Sequence, residues 1–189
     1  MRRFAVIGAF LALAAICAAQ GRYRRIRAIG EFSNIDPAAG RASSYSVDLW
    51  RVDNSVEGLL MVHNGQKGDP PTAMLDDVSF KPRTGALSFT VKMTTGCDVL
   101  PGLKLKPARE SLEFSGVLSD EILKGKMSRR DLDRSESSPT FQEVELARRP
   151  DASLLQAGSY SEWKDKAEEM ARTRELRCKG TLGERKKGK

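Results

Sequence analysis

Hydrophobic and polar residues alternate along the middle of the chain with the period of a β-strand. The clearest run is Ala86 to Thr95, in which Leu87, Phe89, Val91 and Met93 share one face and polar residues share the other. Strict alternation is typical of a strand with one face on a core and one face in water, and no helix keeps such positions together. The run therefore predicts a half-buried antiparallel strand.

Seven further runs of this kind lie between Gly30 and Pro150, separated by turn residues such as Asp53-Asn54 and the segment Lys81 to Gly85. With the run above, the predicted strands in order are Glu31–Ile35, Tyr45–Val52, Val56–Val62, Ala73–Phe80, Ala86–Thr95, Ser111–Leu118, Ile122–Ser128 and Phe141–Leu146. Eight consecutive strands joined by turns predict an all-β fold: an antiparallel meander closed into an up-and-down barrel. Closure is favoured because it removes exposed strand edges.

One local pattern recurs inside these strands, a glycine flanked at two residues' distance by apolar side chains. It places Gly58, Gly116 and Gly125 in strand interiors. Glycine weakens a strand, so its repeated use needs a reason. Sharp bending of a small, strongly coiled barrel is one explanation, and ordinary glycines on edge strands are the other.

The pattern changes after Pro150, where residues 151–179 read as a linker and a helix. Ser159 to Glu162 form a capping-box sequence. The apolar stripe that follows is narrow and consists of Trp163, Ala167, Met170, Ala171 and Arg174. Such a stripe predicts a C-terminal helix of about four turns docked on the barrel domain, residues 30–150. Gly180 is expected to end the helix, and residues 180–189 to form a disordered basic tail.

The first nineteen residues have the pattern of a secretory signal peptide. Arg2 and Arg3 precede an apolar run from Phe4 to Ile16, and small residues then favour cleavage between Ala19 and Gln20. An uncleaved membrane anchor is the alternative, but the run is shorter than the ~20 residues that span a bilayer. The sequence predicts Sec-type export to the periplasm or the medium. No later run is apolar enough for a transmembrane helix.

The chain is basic, and its basic residues concentrate at the two ends. The formal net charge of +7 falls to +5 when Arg2 and Arg3 leave with the signal peptide. Residues 20–29 read as a loosely ordered basic lead-in, and the last five residues are also basic. In an exported protein these ends suit contact with the envelope or another anionic surface, although they could equally be solvated termini. Nucleic acid is not an expected partner.

Export also changes the count of cysteines. Loss of Cys17 leaves Cys97 and Cys178 in a compartment that permits disulfides. The sequence predicts that they pair, with two free thiols as the alternative. Closing a loop of about eighty residues would stabilise the fold by roughly 4 kcal/mol.

Residues with catalytic or ligating chemistry are few. The single histidine, His63, begins a long loop to Pro71 that could be a binding rim or an incidental surface loop. Asp76 and Asp77 are adjacent on a strand, so they should face opposite sides and not share a substrate. No zinc-site spacing, phosphate-binding loop or catalytic motif is present. We therefore assign no catalytic, cofactor-binding or metal-binding residue.

The layout of a signal peptide, an eight-stranded meander and a C-terminal helix resembles the lipocalin and avidin class of small barrels. Gly30-Glu31-Phe32 is similar to the Gly-x-Trp that opens the first lipocalin strand, with Phe in place of Trp. Arg148 or Arg149 follows the last predicted strand, where lipocalins place an arginine over that aromatic ring. The lipocalin Thr-Asp-aromatic motif is missing from the segment Leu118 to Ile122. The resemblance implies a barrel, and it implies no particular ligand.

Three functions are compatible with such a barrel. The first is a binding module for a small apolar or amphipathic ligand. The inner-face residues expected to line its site are Tyr45, Phe80, Phe89, Met93 and Phe114. The second is a structural or interaction protein of the envelope with a solid core, and the third is an enzyme that uses the barrel mouth. A closed pocket above ~300 Å³ would favour the first function. A filled interior would favour the second, and polar residues converging on His63 or a carboxylate would favour the third.

Overall fold

The computed structural model describes residues 24–35, 44–63, 70–101, 104–134, 138–149 and 158–177. The predicted signal peptide, the cleavage site at Ala19 and Gln20, the basic tail and Cys178 lie outside these residues. Predictions that concern those segments therefore stay predictions.

Within the described residues, nine antiparallel strands form one sheet that curves into a nearly closed barrel. The strands are β1 (Ile26–Ser33), β2 (Ser44–Val52), β3 (Ser55–His63), β4 (Thr72–Met74), β5 (Asp76–Lys81), β6 (Ala86–Leu100), β7 (Lys104–Leu118), β8 (Ile122–Asp131) and β9 (Thr140–Arg149). Their order in the sheet is β4-β3-β2-β1-β9-β8-β7-β6-β5. The first and last strands are joined directly, with Phe32 opposite Arg148. The predicted up-and-down architecture is confirmed, and the strand number differs.

The predicted strand Ala73–Phe80 is in fact two strands divided at Leu75. β4 pairs with β3, whereas β5 pairs with β6, so the chain changes partner at this residue. The backbone N–H of Leu75 donates to the carbonyl of Gly58 at 2.9 Å, and Asp77 adopts a positive φ of 48° beside a register shift. An alternating sequence cannot show this division, because alternation records which face a side chain occupies and not which neighbour the backbone bonds.

Several strands also extend past their predicted bounds. β1 begins at Ile26, inside the segment expected to be a loose basic lead-in, because Ile26 pairs with Val52 at the end of β2. β6 and β7 continue beyond the predicted ends as one long hairpin, with a register shift at Gly96. In each case pairing with a neighbouring strand extends the element past the part with clear alternation.

The interior of the barrel is one continuous apolar core. Its fully buried side chains include Phe32, Val47, Leu49, Leu60, Val91, Leu112, Leu123 and Leu146. They come from β1, β2, β3, β6, β7, β8 and β9, so the core joins both halves of the sheet. Burial of each such side chain stabilises the fold by roughly 1.5–3 kcal/mol relative to exposure.

Two of the recurrent glycines make room for an aromatic ring in this core. Gly116 and Gly125 face each other on β7 and β8. A Cβ atom at Gly116 would lie 2.6 Å from Cζ of Phe114, and one at Gly125 would lie 2.9 Å from the same atom. The ring of Phe114 also stacks on Phe89 with 5.0 Å between centroids. These two glycines therefore serve packing inside the barrel, and neither strand is at the edge of the sheet.

The single helix of the described residues, α1 (Tyr160–Arg177), begins at the predicted capping sequence. Ser159 Oγ accepts a hydrogen bond from the backbone N–H of Glu162 at 3.2 Å, and Glu162 Oε2 accepts one from Gly158 at 3.0 Å. Trp163 and Ala167 are fully buried against Trp50 and Leu59 on the outer face of β2 and β3. The predicted helix docked on the barrel is confirmed for this part of the chain.

In the described part of the chain, no helix combines the length and the apolar character that crossing a membrane requires.

Candidate functional site

The five residues expected to line a ligand site belong to the apolar core or lie against it. Tyr45, Phe89, Met93 and Phe114 are buried in the interior cluster, and Phe80 is half-buried against it. Phe80 also lies under the guanidinium of Arg51, with 5.4 Å from Cζ to the ring centroid. The inward direction of these side chains agrees with the sequence pattern, and their mutual packing fills the interior that they share.

After the division at Leu75, β4 pairs with β3 and not with β6, and a cleft lies beside these strands and α1. This α1 cleft has a volume of about 580 Å³. Its lining residues are Thr72, Ala73, Met74, Asp76, Lys92, Met93, Thr94, Arg109, Leu132, Glu168, Ala171 and Arg172. The cleft therefore lies where the barrel is incompletely closed, and the second half of α1 forms one of its walls.

The α1 cleft has an apolar and a charged side. Ala73 and Met93 are buried and belong to the interior core, while Met74 and Ala171 are half-buried beside them. The exposed residues are charged apart from Leu132: Lys92, Arg109 and Arg172 are cationic, and Asp76 and Glu168 are acidic. A cleft with this division suits a molecule that has an apolar part and a charged head.

A second pocket, of about 300 Å³, lies at one mouth of the barrel around Tyr45, Met127, Arg129 and Gln142. Arg129 forms a two-pronged ion pair with Glu110, in which Nη2 donates to Oε1 at 2.7 Å and Nε donates to Oε2. The hydroxyl of Tyr45 donates to Gln142 Oε1 at 3.4 Å. Burial raises the pKa of Tyr45, Arg129 acts to lower it and Glu110 acts to raise it. The polar groups at this mouth are thus paired with each other.

A third pocket, of about 330 Å³, lies on the outer face of β6, β7 and β8. Phe141 is 60% exposed there, and Lys126 Nζ lies 4.4 Å from its ring centroid. Asp77 lines this pocket and accepts a hydrogen bond from Thr90 Oγ1 at 3.0 Å, whereas Asp76 lines the α1 cleft. The two aspartates therefore line different pockets.

His63 ends β3 on the outer face of the barrel. Its Nε2 lies 3.1 Å from Ser46 Oγ, and Ser46 Oγ lies 3.2 Å from Ser33 Oγ. Burial lowers the pKa of His63 below its usual value. The imidazole therefore belongs to a chain of hydroxyls on the outer face and does not join the Glu110–Arg129 pair at the barrel mouth.

Asp48 is the residue that sequence reasoning missed. It lies on the outer face of β2, is fully buried under α1, and accepts a hydrogen bond from Trp163 Nε1 at 3.3 Å through Oδ2. Within the described part of the chain, Asp48 Oδ1 and Trp50 Nε1 are buried with no hydrogen-bond partner. Alternation assigned this face to water, and the nearby Trp50 was the only sign that another element covers it.

The pKa of Asp48 is raised from 3.8 to about 7. Burial is the main cause, the hydrogen bond from Trp163 acts against it, and the negative charge of Glu31 adds to it. Glu31 lies directly opposite Asp48 in the pairing of β1 and β2, and burial raises its pKa as well. A carboxyl group that titrates near neutral pH therefore lies under the helix.

The residues that carry the resemblance to lipocalins have mixed outcomes. Phe32 is fully buried in the barrel interior, and its partner across β1 and β9 is Arg148. Arg148 lies against Gly30, where a Cβ would be 2.9 Å from the arginine Nε. The prediction that Arg148 or Arg149 follows the last strand is wrong, because pairing with β1 extends β9 to Arg149.

Other predictions involve residues outside the described ranges. Cys97 lies on β6, whereas Cys178 lies outside, so their pairing stays a prediction. Most of the loop from His63 to Pro71 lies outside as well, although the carbonyl of Pro71 accepts a hydrogen bond from Val62 at 2.8 Å. Its role as a binding rim also stays a prediction.

No family model, curated protein or solved structure matches the chain. The resemblance to lipocalins therefore rests on architecture alone, namely an antiparallel, nearly closed barrel with a helix docked after its last strand.

Proposed function

We propose that this protein is an exported binding module for a small amphipathic ligand, which it takes in the α1 cleft. The centre of the barrel is the less suitable place, because packed side chains occupy it. The observation that carries the proposal is a single cleft in which the buried Ala73 and Met93 adjoin exposed charged groups. The sequence pattern of a cleavable signal peptide supports export.

The size and lining of the cleft support a small ligand. A volume of about 580 Å³ is within the range of small-molecule sites, which is roughly 300–1,000 Å³. An alkyl chain laid against Met74 and Met93 would contribute about 0.8 kcal/mol for each buried methylene group. Methionine suits this role because its flexible thioether adapts to ligands of different shape.

The charges around the cleft favour an anionic head group. Lys92, Arg109 and Arg172 outnumber the two acidic residues there, and the chain as a whole is basic. A negative head group near these side chains would gain affinity and a faster association rate. In this proposal, a disulfide between Cys97 and Cys178 would tie the far end of α1 to β6 and keep the helix tethered to the barrel even when it is undocked.

The experiment has two stages. Native mass spectrometry of the protein purified from its own host would show whether a small molecule co-purifies. Calorimetric titration would then compare decanesulfonate with decyltrimethylammonium, which has a similar chain and the opposite charge. We expect the anionic probe to bind at least about tenfold more tightly, a difference of about 1.4 kcal/mol.

Two tryptophan substitutions locate the site. Ala171→Trp would fill the α1 cleft and abolish binding of decanesulfonate. Val117→Trp is the matched control, because Val117 is 51% exposed on β7, away from the cleft, and it should leave binding unchanged. Equal binding by both variants, or no binding by the unmodified protein, would refute the proposed site.

A second candidate function is an interaction protein of the envelope with a solid barrel. The continuous core, which joins side chains from both halves of the sheet, favours it. The mature protein would then contact its partner through its basic ends, α1 or its long loop. Co-sedimentation with anionic vesicles, together with failure of decanesulfonate to bind, would support this function over the first.

A further inference from the structure

We propose that protonation of the buried Asp48 carboxyl controls the docking of α1 on the barrel. Within the described part of the chain, this carboxyl accepts one hydrogen bond from the helix, donated by Trp163 Nε1. Both side chains are fully buried, and the second oxygen of Asp48 has no partner within the described part of the chain. An ionised carboxylate needs several donors to offset the loss of water, whereas a neutral carboxyl is far less costly to bury.

The neighbours on β1 increase this cost. Glu31 lies opposite Asp48 across the β1–β2 pair, and its charge disfavours ionisation of Asp48. Arg149 lies opposite Glu31 on the other side of β1, and its positive charge lowers the pKa of Glu31. The positive charge of Arg149 therefore favours the ionised form of Glu31 rather than that of Asp48.

The charged group that α1 brings nearby is already paired. Lys164 donates to Glu57 Oε2 at 2.9 Å, and the hydroxyl of Tyr160 donates to the same oxygen at 2.6 Å. These bonds hold the pKa of Glu57 below its usual value although burial acts to raise it, so this pair is formed throughout the neutral range. His63 lies on the same outer face, but its contact is with Ser46.

The direction of the pH effect follows from the pKa of Asp48 when α1 is docked and when it is released. With α1 docked, the pKa of Asp48 is about 7, and with α1 removed it should return toward 3.8. The docked state therefore holds a proton that the open state releases at intermediate pH. Docking is strongest at acid pH, weakens by at most about tenfold for each pH unit between these two values, and is constant at higher pH.

Release of α1 would remove the wall of the α1 cleft that the helix supplies through Glu168, Ala171 and Arg172. If the cleft holds a ligand, as in the proposed function, the affinity for that ligand should decrease as α1 undocks. This consequence for the ligand rests on the proposed function, whereas the movement of the helix does not.

The two tryptophans of the chain, Trp50 and Trp163, both lie at this interface, with ring centroids 5.8 Å apart. Their fluorescence therefore reports helix docking without a label. In the mature full-length protein we expect emission to shift to longer wavelength as pH rises from about 5 to about 8. Over the same range, hydrogen exchange corrected for intrinsic rates should show at least tenfold lower protection in α1, with the strands unchanged.

Three variants test the assignment. Asp48→Asn keeps the shape and cannot ionise, so the fluorescence change should disappear and α1 should stay docked. Glu31→Gln removes the neighbouring charge, so the fluorescence change should remain and its midpoint should move to lower pH. His63→Gln should leave the midpoint of the fluorescence change unaltered, because the hydrogen-bond contact of His63 is with Ser46.

Persistence of the transition in Asp48→Asn would overturn the proposal, and so would equal loss of protection in α1 and in the strands. Decanesulfonate, whose charge is constant over this range, separates the two proposals. If helix protection changes with pH while the probe fails to bind at any pH, the docking mechanism holds and the cleft is not the ligand site. If the probe binds and helix protection is constant, the binding site holds and the docking mechanism is wrong.

Discussion

The indole nitrogen of Trp163 donates a hydrogen bond of 3.3 Å to the carboxyl of Asp48, a residue 115 positions earlier in the chain. Both side chains are fully buried, so this contact fixes α1 to β2 in a place that water does not reach. Trp50 lies beside them, and its own buried indole nitrogen has no partner among the described residues. Among the described residues, Trp163 therefore donates a side-chain hydrogen bond and Trp50 does not, and mutation can measure this difference.

Replacement of each tryptophan by phenylalanine should give unequal losses of stability. Trp163→Phe removes the only side-chain hydrogen bond that Asp48 makes within the described residues, and it should lower the free energy of unfolding by about 1–3 kcal/mol. Trp50→Phe removes a buried donor that has no partner, so the change should be within about 1 kcal/mol. Urea denaturation at acid pH, where Asp48 is protonated, measures both. Similar losses in the two variants would show that packing and not the hydrogen bond dominates.

Addition of a methyl group at Gly116 should destabilise the barrel. In Gly116→Ala the new Cβ would crowd the backbone carbonyl oxygen of Lys124 most closely, and it would approach Phe114 Cζ to 2.6 Å and the Cα of Gly125 to 2.7 Å. Crowding of this kind in a packed core typically costs about 1–3 kcal/mol. Gly96→Ala is the matched control, because nothing lies within 4 Å of a Cβ there.

A double mutant tests whether Phe114 is one of the neighbours that the new methyl group crowds. Combination of Gly116→Ala with Phe114→Leu should be less destabilising than the sum of the two single changes, because the shorter side chain leaves room for the methyl group. Additive losses, or a loss in Gly96→Ala as large as in Gly116→Ala, would contradict this account of the glycine pair.

The ion pair between α1 and β3 should have its own pH dependence. Because the pKa of Glu57 is lowered in the folded protein, its stabilisation is present above the usual value of 4.5 and is lost as pH falls through the folded value. Lys164→Met should therefore reduce stability at neutral pH by up to about 1 kcal/mol, since the pair is partly exposed. The difference from the unmodified protein should vanish at strongly acid pH.

Lys166→Met is the control for this helix. Lys166 pairs with Glu162 at 2.9 Å, one turn away within α1, and both side chains are more than 40% exposed. Denaturation curves across the acid range should show a smaller loss for Lys166→Met. An equal loss would mean that the pairs act on the helix alone and not on its docking.

Mass analysis of the mature protein under non-reducing conditions should find Cys97 and Cys178 joined and residues 1–19 absent. Reduction should lower stability by roughly 4 kcal/mol if the disulfide acts by limiting the unfolded chain. Cys97→Ser should show a loss similar to that of the reduced protein. Two free thiols in the secreted product would disprove the pairing, and the prediction of export would be unaffected.

The sequence predicted the features that depend on neighbouring residues. Leu87, Phe89, Val91 and Met93 lie on one face of β6 because alternation along a strand is a property of local backbone geometry. α1 begins where predicted because Ser159 and Glu162 act within a single turn. The inward direction of Tyr45 and Phe114 could be predicted for the same reason, whereas their use by a ligand could not.

Only the tertiary structure decided which strands pair and what covers each face. The partner change at Leu75, the α1 cleft and the burial of Asp48 all depend on residues distant in sequence. An aspartate on the outer face of a strand has the sequence pattern of a solvated residue, and only a helix 115 positions later removes it from water. The local sequence thus determined the direction of each side chain. Its chemical environment was decided by which distant segment packed against it, because desolvation depends on contacts that alternation does not record.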